Sequence, residues 1–260
     1  MRLKNKVVFI TDADSKSGKA ITRRLAAEGA RFILNSASAG AGIEPELVHC
    51  RSVGSETLVC QINLCISAEI QEVLDNAANV LGKVDVLVHN NNLVKRAAVE
   101  TCEEPLFFEI LNANTKTAFI ATQAVGRQMT AKRSGSIIYV GSIHAEKPNG
   151  SSFAYSAAKG AVKMLSREAS LMLGRHGVRV NHIEMGPVEG DDERFRSDIS
   201  LLYEDFNYKV PGAVLGTHRD LADLVLFLAG DEAGYLNGAD IRLDGGFLNH
   251  YIDVKMNKPE

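Results

Sequence analysis

KVVFITDADSKSGKAITRRLAAEGA, residues 6–30, is the stretch whose reading decides the fold. A short β-branched run (KVVFIT, 6–11) gives way to a polar turn, Thr11 to Gly18. Then comes GKAITRRLAAEGA (18–30), whose apolar residues recur at helical spacing up to a stop at Gly29. Strand, turn and helix follow one another again down the chain. Strands are read in RFILN (31–35), TLVCQIN (57–63), VDVLVHNNN (84–92), SIIYVG (136–141), GVRVNHIEM (177–185) and NGADIRLDGG (237–246). Helices are read at about 44–53, at 67–82 with Ser67 as a candidate N-cap and Gly82 as the stop, and within 111–129, 154–173 and 218–230. Such alternation predicts a parallel sheet covered on both faces by helices.

Composition narrows the class. A chain of 260 residues with 45% hydrophobic content can bury one large core, so a single domain over 1–260 is expected. Net charge is −3 and no basic run stands out, which removes the electrostatic case for nucleic-acid binding. No segment approaches the roughly 18 apolar residues needed to span a membrane, and the chain reads as soluble and cytoplasmic. Cys50, Cys60, Cys65 and Cys102 show no C-x-x-C pairing, so free thiols are expected, with neither a disulfide framework nor a metal site.

The chemistry concentrates in GSIHAEKPNGSSFAYSAAKG, residues 141–160. Tyr155 and Lys159 lie four apart in a helical segment, so their side chains share one face. A phenol with an ordinary pKa of about 10 is a poor acid or base at neutral pH, and an adjacent ammonium favours its ionised form. Ser142 follows an apolar strand, where an open α/β sheet presents groups to a ligand.

This Ser, followed 13 residues later by Tyr-x-x-x-Lys, resembles the active site of the short-chain dehydrogenase/reductase family, and the resemblance covers nearly the whole chain. It implies a doubly wound Rossmann domain of about seven strands and an NAD(P)(H)-dependent oxidoreductase interconverting a ketone and a secondary alcohol. Tyr155 would be the general acid/base, Ser142 would hold the substrate oxygen, Lys159 would assist Tyr155 and bind the nicotinamide ribose, and Asn114 would complete a water relay. A homodimer or homotetramer acting on a small-molecule carbonyl or alcohol is implied as well.

The cofactor loops depart from the family's pattern. Where T-G-x-x-x-G-x-G is usual, Thr11 and Gly18 remain but Asp12 and Lys16 replace the first two glycines. Glycine there lets backbone approach a pyrophosphate; Asp12 opposes that charge and Lys16 favours it. At N-N-A-G the chain has His89, Asn90, Asn91 and Asn92, of which only Asn90 matches. Asparagine is tolerated where φ is positive, so the backbone shape could survive there. His89 reads as a structural histidine. The end of the second strand, Asn35-Ser36, lacks the carboxylate that selects NAD, and with Lys16 nearby the reading prefers NADP(H) over NAD(H). The resemblance makes Thr11, Lys16, Ser17, Gly18, Ser36, Asn63, Asn90, Tyr155, Lys159 and Val188 the cofactor-binding set.

Residues 189–213 are too long for a simple turn and read as a substrate lid, with Phe195, Leu201, Leu202, Tyr203, Phe206 and Tyr208 either lining a pocket or packing the lid down. The altered cofactor loops also keep open a second reading, a nucleotide-sensing or scaffold protein on the same fold with little turnover.

Overall fold

The computed structural model describes residues 1–148, 150, 152–189 and 209–250. The expected lid at 189–213, with its six candidate aromatic and leucine residues, falls largely outside them. Among the described residues, seven strands form one sheet, each pair parallel: β1 (Val7–Ile10), β2 (Arg31–Asn35), β3 (Thr57–Cys60), β4 (Val86–His89), β5 (Gly135–Val140), β6 (Val178–Met185) and β7 (Asp240–Leu243). Their order is β3-β2-β1-β4-β5-β6-β7. The chain therefore builds outward from β1 in one direction, returns, and builds outward in the other. The turning place, between β1 and β4, leaves a crevice at the strands' carboxyl ends.

Period-2 alternation assigns the two faces. Val8, Ile10, Phe32, Leu34, Val86, Val88 and Ile138 point to one side, where they meet Ile21 and Leu25 of α1 (Lys16–Ala26), Leu47 of α2 (Glu44–Ser52) and Leu221, Val225 and Leu226 of α7 (His218–Ala229). Val7, Phe9, Ile33, Leu87, Ile137, Tyr139 and Val180 point to the other. There they meet Ile70 and Leu74 of α3 (Ser67–Val80), Ala118, Ala121 and Val125 of α5 (Thr117–Lys132), and Val162 of α6 (Phe153–Gly174). Each such side chain taken fully from water contributes about 1.5–3 kcal/mol. No helix of the described residues is long and apolar enough to cross a membrane.

Local chemistry moves several boundaries. Helix α1 starts at Lys16, two residues before Gly18, because Ser15 caps it by accepting the Gly18 N–H. Strand β3 ends at Cys60, short of Asn63. Ser67 is the first residue of α3 and not its cap; Ile66 holds that position with no side-chain bond, while Glu69 accepts from Asn63 N at 2.6 Å. Helix α4 (Glu104–Leu111) runs into α5 through a π-helical turn, Asn112–Lys116, that contains Asn114. Asn90, Asn91 and Asn92 have no positive φ, so the left-handed backbone allowed for them is not used. The four cysteines are free.

Beside β6 and β7, Lys163 pairs with Glu146 and Glu184, Arg242 with Glu146 at 2.9 Å and Glu184 at 3.5 Å, and Arg167 with Asp240. His182, fully buried, lies 3.3 Å from Asp240. Its ring also sets the residue before Ser142, since a Cβ on Gly141 would lie 1.9 Å from His182 Nε2. Gly141→Ala should therefore lower stability by about 1–3 kcal/mol, or roughly 2–4 °C of Tm per kcal/mol, and adding His182→Ala should return part of the loss. A Gly141→Ala chain that melts with the parent would show that the ring does not set this position.

Candidate active site

A cavity of about 300 Å³ opens at the crevice, lined by Asp12, Ser15, Lys16 and Ser17 of the first loop, by Asn90 and Asn92, by Val140–His144, Tyr155 and Met185–Glu189, and by His218 and Leu221 of α7. Ser142 leaves β5 in extended conformation and caps the short turn Ile143–Ala145, its Oγ accepting from His144 N at 3.2 Å. Tyr155 sits in the first turn of α6 and is 1% exposed. Its hydroxyl donates to Asn92 Oδ1 at 2.7 Å, and the His144 ring meets it edge-on with centroids 6.3 Å apart.

One turn along α6, Lys159 is wholly buried, with Nζ 5.6 Å from the Tyr155 ring centroid. The carbonyls of Asn91 (2.8 Å) and Val140 (3.3 Å), beyond β4 and at the end of β5, accept its protons. The strand ends thus aim the ammonium at the phenol. Asn114 is also fully buried; its Nδ2 donates to Leu93 O at 3.0 Å and Ile110 O at 2.9 Å, while Oδ1 has no partner among the described residues. A π turn frees helix backbone groups and carries side chains out of the α register, which is how Ile110 O comes to serve this amide.

The loop that lost two glycines is held by Asn90. The Asn90 side chain accepts from Asp12 N at 2.9 Å and donates to Asp12 O at 2.7 Å, Ser15 Oγ at 3.1 Å and Ser17 Oγ at 3.2 Å, while its backbone N–H donates to Thr11 Oγ1 at 3.1 Å. Burial pushes the Asp12 carboxyl up, against a hydrogen bond from Ser15 N that lowers it. Gly18 is irreplaceable in this turn, since a Cβ there would lie 2.1 Å from Asp12 O. With Lys16 exposed at the N-terminus of α1 and Ser17 on the cavity wall, the residues fit a pyrophosphate at that end. The buried, carbonyl-oriented ammonium of Lys159 fits a ribose at the other.

Of the residues expected from sequence, Lys16, Ser17, Asn90, Ser142, Tyr155 and Val188 line the cavity. Thr11, Gly18, Lys159 and Asn114 are buried behind it. Ser36 is buried and donates to Asp14, and Asn63 is exposed outside the cavity wall, its Oδ1 accepting from Cys65 N. Sequence reading missed Asn92, His144 and Asp14. Asn92 was legible as a side chain where glycine is usual, and Asp14 lay in a loop read only for its glycines.

His182, Glu184 and Asp240 bring ligand atoms within 4.8 Å of one another, the spacing of a cation site. Lys163, Arg242 and Arg167 already neutralise those carboxylates, so a metal ion would have to displace an ammonium or guanidinium.

A family model described as Enoyl-(Acyl carrier protein) reductase matches residues 13–248. A 3-oxoacyl-(acyl-carrier-protein) reductase of Staphylococcus epidermidis is 30% identical over 242 residues, covering 93% of this chain and 98% of that protein. Among solved structures, a short-chain type dehydrogenase/reductase from Mycobacterium marinum superposes with TM-score 0.85 at 25% identity, over 94% of this chain and 96% of its own. An NAD+-bound xylitol dehydrogenase gives TM-score 0.85 at 26% identity, over 95% and 100%.

His89, left out of the chemistry at the sequence level, is fully buried with Nε2 2.9 Å from Thr117 Oγ1. Thr117 spends its own proton on Ala113 O, so His89 Nε2–H donates and the buried Nδ1 is bare. Burial, and then the nearby Lys159 charge, push the ring's pKa down from 6.5 to about 3. His182 is shifted the same way, chiefly by burial. Below pH 6.5 the unfolded chain binds protons that folded His89 refuses; stability is thus full above that pH and falls on acidification toward pH 3. The slope is about 1.4 kcal/mol per pH unit for each such histidine. Denaturant unfolding at about pH 6 and pH 5 should show this loss, with His89→Asn less steep by about one proton. Equal slopes in the two proteins would contradict the assignment.

Proposed function

The chain belongs to the short-chain dehydrogenase/reductase family, and from that premise we propose that it interconverts a ketone and a secondary alcohol with Tyr155 as general acid/base. The observation that carries the reading is that Tyr155 and Ser142 face one cavity whose far wall is the α1 loop, with the Lys159 ammonium buried behind it, 5.6 Å from the centre of the Tyr155 ring. A nicotinamide dinucleotide, when bound there, would supply the hydride. Lys16, Ser17 and the first turn of α1 would hold its pyrophosphate, and Lys159 its nicotinamide ribose.

Tyr155 gives its proton to the substrate oxygen in reduction and takes it back in oxidation. Lys159, held on the carbonyls of Asn91 and Val140, favours the negative charge that Tyr155 acquires as the proton leaves. Ser142 hydrogen-bonds the same substrate oxygen and fixes its direction as charge develops. Asn92 Oδ1 competes for the Tyr155 proton, so a substrate carbonyl has to displace that contact. The bare Oδ1 of Asn114 is the acceptor that a water relaying protons toward Lys159 requires. The scaffold reading rests on the lost loop glycines and the other cofactor-side changes; the Asn90 bonds keep this loop ordered despite them.

Tyr155→Phe tests the assignment. Turnover across a panel of ketones should fall by about 10²–10⁴-fold, with dinucleotide affinity followed by fluorescence nearly unchanged. Near-parental turnover would reject Tyr155 as the proton donor, and equal loss of turnover and affinity would make it a structural residue.

A further inference from the structure

In this fold an acidic side chain ending the second strand meets the adenosine ribose, and its charge repels the 2′-phosphate of NADP. Here β2 ends at Asn35, followed by Ser36, which is why the sequence reading prefers NADP(H). A carboxylate nevertheless occupies that place, delivered by the first loop. Asp14 reaches across to Ser36, whose Oγ is 3.0 Å from both carboxylate oxygens, and to Ser38, whose N–H donates to Oδ2 at 3.1 Å and whose hydroxyl donates to Oδ1 at 2.7 Å. The two serines are themselves fixed, Ser36 Oγ accepting from Gly40 N at 2.8 Å and Ser38 Oγ from Gly42 N at 2.7 Å.

Resting on the oxidoreductase reading above, we propose that Asp14 does at the adenosine ribose what an acid ending β2 would do, so that the chain selects NAD(H) over NADP(H). Burial alone would raise the Asp14 carboxyl, but hydrogen bonds from Ser38, Ser36 and Ala37 outweigh it and hold the group below the usual carboxylate range. A 2′-phosphate would thus meet a fixed anion. Lys16, two residues on, is an exposed cation on a flexible stem and is screened by solvent. Asp14 is immobilised by its bonds to the segment Ser36–Ser38, so its charge decides the preference.

Titration of the full chain by fluorescence should show NADH binding at least about tenfold tighter than NADPH. Asp14→Asn, which keeps the shape and removes the charge, should shift the ratio of affinities toward NADPH by about tenfold or more. Competition against NADH by ADP-ribose and by its 2′-phosphate reads the same preference in the unaltered protein, should the variant fold poorly. Equal or tighter NADPH binding by the parent, or an unchanged ratio in a folded Asp14→Asn, overturns the proposal and leaves the oxidoreductase reading standing. Binding of neither dinucleotide overturns both.

Discussion

The side-chain amide of Asn90 is the constraint on which the crevice depends. Parallel strands β1 and β4 are neighbours in the sheet but distant in sequence, and the loops that follow them leave in opposite directions just where a ligand must be received. Asn90 closes that gap by spending its donors and its acceptor on the loop after β1. An unmet buried polar group costs about 1–3 kcal/mol, so the loop's shape and the amide's placement enforce one another. With the loop fixed, Ser15 can cap α1 and the helix N-terminus faces the cavity.

A second buried device holds the other half. Lys159 is a charge in the interior, tolerable because carbonyls beyond two strand ends solvate it. The same carbonyls fix its direction, and α6 places Tyr155 one turn away. Nearby His89 is kept neutral by burial and by that charge, which spares the site a second cation. At this end of the site, then, one buried ammonium is aimed at one phenol.

The fold was legible in the sequence because strand after strand is a short apolar run, and period-2 alternation with helical crossovers admits few arrangements. Ser142, Tyr155 and Lys159 were legible because one strand end and one helical turn suffice to bring them together. The partners of Asn92 and Asp14 were not, because each acts across a long sequence separation, Asn92 on Tyr155 and Asp14 on Ser36 and Ser38. Local propensity carries no trace of such pairings. The end of α3 was readable from Gly82, whereas its start was not, since Ser67 has the right chemistry one position too late.

The departures from the family's glycine pattern share a physical logic. A side chain added where glycine is usual removes backbone freedom and adds a polar group that must be satisfied. The Asp12 carboxylate is answered by Ser15 N, and the amide oxygen of Asn92 by the Tyr155 hydroxyl. Where glycine does persist, at Gly18 and Gly141, an added Cβ would collide with the Asp12 carbonyl or the His182 ring. Glycine is thus retained where space requires it and replaced where a hydrogen-bonding partner is at hand. Loss of a motif letter in this chain marks a changed set of contacts at the crevice, and the crevice itself persists because Asn90 holds the loop after β1 while the side chains at 12 and 92 find partners in Ser15 and Tyr155.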